Sequence, residues 1–448
     1  MLSIRTLTHG SAALLLTAAF AFAGDSGKAP AKNPVAPVTE APSSFIYDFE
    51  LKARFEYREN NFDFNDANNA LTDDSWLLYH ARLGLGWQPT PWFKIYAQGQ
   101  DAREFDSDRP NIPGVLGAEG DDTFDLRQFY IQLGEEKKGP SVKVGRQLLT
   151  YGDERILGPL EWNNFSRTWD AAKFHYAADK WWVDLFAASL VTIDPDGFNK
   201  SDLFNNEGLG TNQMLSGIYF STTAFDFQTT DLYALQLHQS GGTDFITFGT
   251  RWKSTPKAFG PWDYTAELVG QTGEVKGKDL AAFAVHAELG YTFDTAWKPR
   301  LALDYSYGTG DGNAADGKVG TFQNLYPTNH LYYGYMDAVS WQNIHDINVS
   351  LKAAPTKKLT ARLDYHAFWL ADTNDAWYRA NGVATVRPIS PAADGYAGSE
   401  VDLTLTYAAT KSLSFMAGYS HFFAGKYLSD TGASDDADFA YFQATLKF

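Results

Sequence analysis

The sequence predicts an all-β protein: a single transmembrane antiparallel β-barrel of about 18 strands with both ends in the periplasm. Three observations predict it. Segments of about ten residues alternate apolar and polar side chains, the apolar rows begin or end in Tyr, Trp or Phe, and the connections alternate long and short. Successive side chains of a strand point to opposite faces, so this alternation describes a sheet with unlike media on its two sides.

Residues 1–23 carry one cation, Arg5, then an apolar run from Ala12 to Phe22 that closes on Ala21-Phe22-Ala23. That order is the pattern of a cleaved export signal. The run is too short for a membrane-crossing helix, which takes roughly 20 residues. Residues 24–44 hold Pro30, Pro34, Pro37 and Pro42 without a hydrophobic period and are expected to be a flexible spacer. Residues 45–448 are expected to form the barrel.

The first strand shows the period best. Phe45, Tyr47, Phe49, Leu51, Ala53, Phe55 and Tyr57 make one row, and Ile46, Asp48, Glu50, Lys52, Arg54, Glu56 and Arg58 make the other. The same pattern returns at residues 77–87, 281–293, 359–369 and 401–407. Strands of a soluble sandwich also alternate, but they run about 5–6 residues. The long connections fall at residues 59–75, 104–122, 150–168, 192–212, 309–339, 371–399 and 425–436, with two short ones on the same side near Gly241 and Gly273. Brief turns separate them at residues 88–91, 135–140, 177–180, 294–298, 354–356 and 408–411. Long loops face outward and short turns face the periplasm in barrels of this class. The chain closes on the row Ala440, Phe442, Ala444, Leu446 and Phe448, a terminal pattern of the kind the outer-membrane assembly machinery reads.

Composition narrows the class. The chain has no Cys, so an exported protein of this size forgoes disulfides. Mean hydropathy is −0.32, and no second apolar stretch reaches helix length, which argues against a helical membrane protein. The formal charge is −17, and loss of Arg5 with the signal would take it to −18, a balance that argues against nucleic-acid partners.

If the apolar rows meet lipid, the charged rows line the lumen, and Arg54, Arg82 and Arg362 are inward candidates for an anionic solute. Mixed rows that pair with one another are the plain structural alternative. The densest cluster spans residues 145–170. It reads Gly145-Arg146-Gln147, Tyr151-Gly152-Asp153-Glu154-Arg155, Trp162-Asn163-Asn164 and Arg167-Thr168-Trp169-Asp170, preceded by Leu126-Arg127-Gln128 with Tyr130. This run closely resembles the signature of the alginate export family of outer-membrane barrels, and the likeness extends more loosely over nearly the whole mature chain. The resemblance implies an 18-stranded barrel with an Arg-rich, partly acid-balanced constriction. It further implies that Arg127, Arg146, Arg155 and Arg167 contact anionic solute, with Asp153, Glu154 and Asp170 as the carboxylates that hold them.

Strict alternation sets Arg146 on the row of Val142 and Val144, and Arg127 on that of Phe129 and Ile131. A lipid-facing Arg at mid-membrane costs roughly 2–4 kcal/mol, so either a bulge or turn shifts the phase at both, which is the preferred expectation, or these residues lie above the lipid band at the extracellular rim. The Asp-rich loops at 101–108, 121–125 and 435–438 show no regular calcium-ligand spacing. Neither a metal nor a cofactor is expected.

These readings point to a passive channel in a Gram-negative outer membrane, for anionic saccharides or other small anionic solutes. The alternative is a general diffusion porin. An enzyme is not expected: the nine His are scattered and no Gly-x-Ser-x-Gly occurs. A surface receptor would rest only on the long loops.

Overall fold

The computed structural model describes residues 44–448 apart from 62, 68–72, 108–120, 196, 203–211, 383 and 386. The expected export signal, and the expected spacer up to residue 43, lie outside the described residues.

Twenty strands are described; two of them, Lys200–Ser201 and Lys318–Val319, are two-residue pairings within loops, which leaves eighteen for the wall. The first six are β1 (Phe45–Glu59), β2 (Asp74–Thr90), β3 (Phe93–Phe105), β4 (Asp122–Gly134), β5 (Gly139–Gln147) and β6 (Trp169–Ala177). Next come β7 (Trp181–Thr192), β8 (Met214–Thr222), β9 (Gln228–Gln239), β10 (Thr243–Ser254), β11 (Trp262–Val275) and β12 (Lys278–Thr292). The last are β13 (Arg300–Gly308), β14 (Ile344–Ala353), β15 (Leu359–Leu370), β16 (Tyr396–Ala408), β17 (Leu413–Ala424) and β18 (Ala437–Lys447). Each wall strand pairs antiparallel with the next, and β1 pairs with β18 from Glu50 opposite Lys447 to Glu59 opposite Asp438. Closure leaves no free edge, the condition for a sheet in lipid.

The burial pattern inverts that of a soluble protein. On β1, Phe45 and Tyr47 are 67% and 76% exposed, whereas Arg54 and Glu56 are 1% and 0% exposed. Leu83, Leu85, Leu289, Leu303, Leu363 and Leu403 are likewise exposed, while His80, Arg82, His286, Asp364 and Asp402 are buried. An apolar belt of this extent is at home only against hydrocarbon. The burial of the charged rows has a separate cause: connections 148–168 and 309–343 fold back into the lumen and cover them.

The long links between wall strands, at residues 60–73, 106–121, 148–168, 193–213, 309–343, 371–395 and 425–436, all leave the wall at one end of the barrel. Residues 240–242 and 276–277 make the two short links at that end; the second was expected at Gly273, which lies within β11. The 425–436 connection carries a six-residue helix, α1 (Lys426–Thr431). The opposite end has only turns, the longest being 255–261 and 293–299, and both ends of the wall emerge there. The short-turn end is the periplasmic one.

Candidate functional site in the lumen

Connection 148–168 leaves β5 at the rim and crosses the lumen. Its course starts with two glycines. Gly145 has φ +122°, and a Cβ there would sit 2.2 Å from the Phe129 carbonyl of β4. Gly152 has φ +59°, and a Cβ would approach the Tyr219 hydroxyl and Arg251 at 3.0 and 3.1 Å. At Gly145 only glycine tolerates that backbone and the approach of the β4 main chain, and at Gly152 the left-handed backbone favours glycine.

The far part of the connection is held by the wall of β1 to β4. Lys52 Nζ donates to the carbonyls of Glu161 and Trp162 at 3.1 and 3.2 Å. Arg54 Nη1 donates to the Trp162 carbonyl at 2.6 Å, and its guanidinium lies 3.8 Å from the centre of the Trp162 ring. Arg82 Nη1 meets Glu161 Oε2 at 2.6 Å, and Arg127 Nη2 takes the other carboxylate oxygen. His80 Nδ1 lies 2.6 Å from the Asn164 carbonyl, and Gln100 donates to that of Phe165 at 3.3 Å. Burial alone would raise the Glu161 pKa, but Arg127 and Arg82, then Lys52, outweigh it and hold the carboxyl down at about 2.

The near part reaches the opposite wall. Arg155 Nη2 meets Asp304 of β13 at 3.3 Å and His286 of β12 at 3.1 Å, and its guanidinium stacks 3.9 Å from the Tyr332 ring. In a ring of eighteen, β3 and β12 are nine strands apart, so one connection bridges the barrel across its diameter. Connection 309–343 supports it from beside. Leu157 bridges to Tyr326, and Thr328 donates from its backbone N–H and its hydroxyl to the Glu154 carbonyl and carboxylate at 2.9 and 2.6 Å. Trp162 stacks on His330 with ring centres 3.8 Å apart. Arg167 Nη1 ties the two connections by donating to the carbonyls of Gly158 and Tyr326 at 2.6 and 2.7 Å. Burial pushes its guanidinium down to about 10, which leaves it charged at neutral pH.

The profile of the alginate export family matches residues 44–442. The chain belongs to the alginate export family. No curated protein matches it. Among solved structures it is similar to OpdQ of Pseudomonas aeruginosa, at 12% identity over 90% of this chain and 97% of that one, with a TM-score of 0.61. OccAB4 of Acinetobacter baumannii has 13% identity, coverage of 91% and 99%, and a TM-score of 0.59. Pseudomonas aeruginosa OpdK, solved with vanillate, has 11% identity, coverage of 90% and 98%, and a TM-score of 0.59. At such identities these structures speak for the fold. Family and fold together are those of channel barrels rather than enzymes, and this alginate export chain is a channel of the Gram-negative outer membrane, surrounded by its lipid.

In this family member the ten residues singled out by sequence do not form one cluster. Arg54, Arg82 and Arg127 converge on residues 161–163. Arg155, Arg167 and Glu154 knit the two lumen connections together. Asp153 faces β10, where Arg251 and Lys253 meet it at 3.1 and 2.7 Å, instead of holding one of the four signature arginines. Burial would raise its pKa, and those cations hold it below the usual carboxylate range. Glu154 accepts from Thr328 rather than from an arginine. Arg362, on β15, is half-buried and paired with Asp364 at 2.7 Å. It borders a cavity of about 1080 Å³ near the periplasmic turns, with Lys253, Arg300 and Lys352.

The expected phase shift occurs at only one of the two arginines. The β3–β4 register breaks between Gln98 and Gly99, leaving Arg127 as the extra residue, and it turns inward to 6% exposure while Phe129 and Ile131 stay outside. Arg146 keeps the outward row, opposite Phe129 and Asp170. Asp170 takes its guanidinium at 2.9 Å, and the Asn199 carbonyl of connection 193–213 accepts a bond at 3.1 Å. Arg146 therefore avoids lipid by capping at the rim, not by a bulge.

Sequence reasoning passed over Glu161, the carboxylate at the centre of the site. It stands immediately before the Trp162-Asn163-Asn164 run that was singled out, so a wider window would have included it. Gln98 and Gln100 were readable from the inward row of β3. The partnership with connection 309–343 had no signal in the sequence. Among the described residues no three His, Asp or Glu side chains gather as a metal site would require.

Proposed function

We propose that this channel passes anionic saccharides or other small anionic solutes, with Arg54, Arg82 and Arg127, joined by Lys52, as the cations that select them. One observation carries the reading. These cations, from three strands, all point at a single three-residue segment of a connection, where backbone carbonyls and one carboxylate occupy their N–H groups. Guanidinium groups remain charged at any physiological pH and take carboxylates through a planar fork. Arg155 and Arg167 shape the crossing connection, Arg362 waits at the periplasmic cavity, and Arg146 with Asp170 secures the rim. Asp153 and Glu154 hold the connection in place and so tune the opening.

Assembly machinery would engage the terminal strand through Phe448, which is 64% exposed with its ring 6.3 Å from that of Phe49. The acidic surface gives nucleic acid no foothold. Transport is passive, needing neither cofactor nor nucleotide.

The test is reversal potential and solute block in planar bilayers. The expected result is anion preference and a conductance reduced by uronate oligomers. Cation preference, with conductance indifferent to uronates, overturns the reading. The second reading, a general diffusion porin, draws on the wall pairs that satisfy each other, such as Arg300 with Asp263 and Glu288, both at 2.5 Å. Equal flux of neutral and acidic sugars of one size would favour it.

A further inference from the structure

Glu161 differs from the carboxylates of the barrel wall. Asp231, Asp263 and Asp364 pair with cations of the wall. Glu161 comes from a connection and places one carboxylate between two guanidinium groups of different strands. Both arginine side chains are buried, at 3% and 4% exposure, while that of Glu161 keeps 45%.

The other N–H groups of the two arginines are already aimed. Arg82 Nε donates to Gln100 at 2.7 Å, and Arg127 Nη1 donates to Gln98 at 2.6 Å. Ser166 Oγ accepts from both, at 3.1 Å from Arg127 Nε and 3.3 Å from Arg82 Nη2. Arg82 also reaches Glu50 at 3.3 Å. Neutral acceptors, with Glu50 as a second carboxylate on Arg82, thus lock the two guanidinium planes and leave one face of the pair directed at Glu161. This is a built receptor for a carboxylate whose present ligand is tethered.

We propose that the Arg82–Arg127 pocket is a carboxylate-binding subsite, and that Glu161 is its resident surrogate, displaced when an anionic chain passes. The inference rests on the anion-channel reading given above and adds the group that competes. A tethered ligand acts at an effective concentration of about millimolar, so a lone carboxylate displaces it poorly. A chain with repeated carboxylates does better. Lys52 and Arg54, beside the pocket, donate to the neutral carbonyls of residues 161–163, and a second anionic group offers them stronger acceptors. The surrogate therefore favours polyanions over monoacids.

The experiment compares the full-length channel with Glu161→Gln, in planar bilayers, for block by uronate oligomers, uronate monomer and a neutral oligosaccharide. Loss of the competing charge should tighten uronate binding by about tenfold, bring monomer block into range and leave the neutral sugar unchanged. Unchanged or weaker uronate binding in the variant, or an equal change for the neutral sugar, overturns the proposal. Should Glu161→Gln fail to fold by circular dichroism, Glu161→Asp gives the same test. Its shorter side chain cannot span both arginines, so uronate binding should again tighten, and binding no tighter than in the parent overturns the idea. A parent channel that prefers cations and ignores uronates would sink the anion-channel reading itself. A parent that uronates block, with variants no tighter, would sink the surrogate alone.

Discussion

The two sides of the lumen use buried arginines differently. From β9 to β15 each arginine pairs with a wall carboxylate, and Arg251 with Lys253 also holds Asp153 of the crossing connection. Arg251 meets Asp231 at 2.5 Å, Arg300 meets Asp263 and Glu288, and Arg362 meets Asp364. From β1 to β4 the wall carboxylates Glu50 and Glu56 take some of the donors, and the remaining ones reach across to residues 161–163. A pair within the wall strengthens the barrel and is fixed with it. On the proposed reading, a pair between wall and connection is exchanged for a solute without disturbing the strands. On that reading, similar side chains serve stability on one side and selection on the other.

The sharpest way to break that contrast is Arg251→Met. It would leave Asp231 buried at 1% exposure without its cation, and Asp153 without one of two. Removing one partner of a buried pair costs about 3–5 kcal/mol, so the midpoint of denaturation in detergent should fall steeply. Replacing both partners, as Arg251→Met with Asp231→Leu, should restore most of the loss. Ion selectivity should barely move in either. A selectivity change without a stability change would abolish the distinction between the sides.

Arg127→Gln should do the reverse. Its loss removes one charged hydrogen-bond partner of Glu161, worth about 1.5–3 kcal/mol, and most of that falls on the docking of the connection. The expected signature is a lower anion-to-cation permeability ratio and a larger conductance, with the barrel's own denaturation shifted less than in Arg251→Met. A channel of unchanged selectivity would assign Arg127 to the structural side.

The fold was legible because lipid imposes period two on every strand, and rows such as Phe45 to Tyr57 carry that period without interruption. Loop lengths then oriented the barrel. The site was legible only in part. Alternation says which row a residue occupies, but it cannot see the bulge that turns Arg127 inward, nor the rim contacts that let Arg146 stay outward. Tertiary partners were hidden for a related reason. Glu161 and Thr328 sit in irregular connections, where no period links a residue to its neighbour in space. The signature itself was dense because it encodes a crossing chain, with Gly152 at the turn, Arg155 at one wall and Glu161 at the other.

Acid gives the mildest test of the contrast. Glu161 has a folded-state pKa of about 2 against an ordinary 4.5, because Arg127 and Arg82 overcome the effect of burial. The carboxylate leaves 45% of its side-chain surface open to the lumen, yet it lies deep inside the barrel, so both influences act on it. A carboxyl depressed in this way contributes docking stability that is full above 4.5 and is lost as pH falls through about 2. Conductance should therefore stay level from neutral pH to about 4 and rise only near the lower value, as the connection leaves the β1–β4 wall. Glu161→Gln should lack that step. A rise centred near the ordinary value of 4.5 would mean that the two guanidinium groups do not grip Glu161 in the working channel, and that exposed carboxylates elsewhere control the opening.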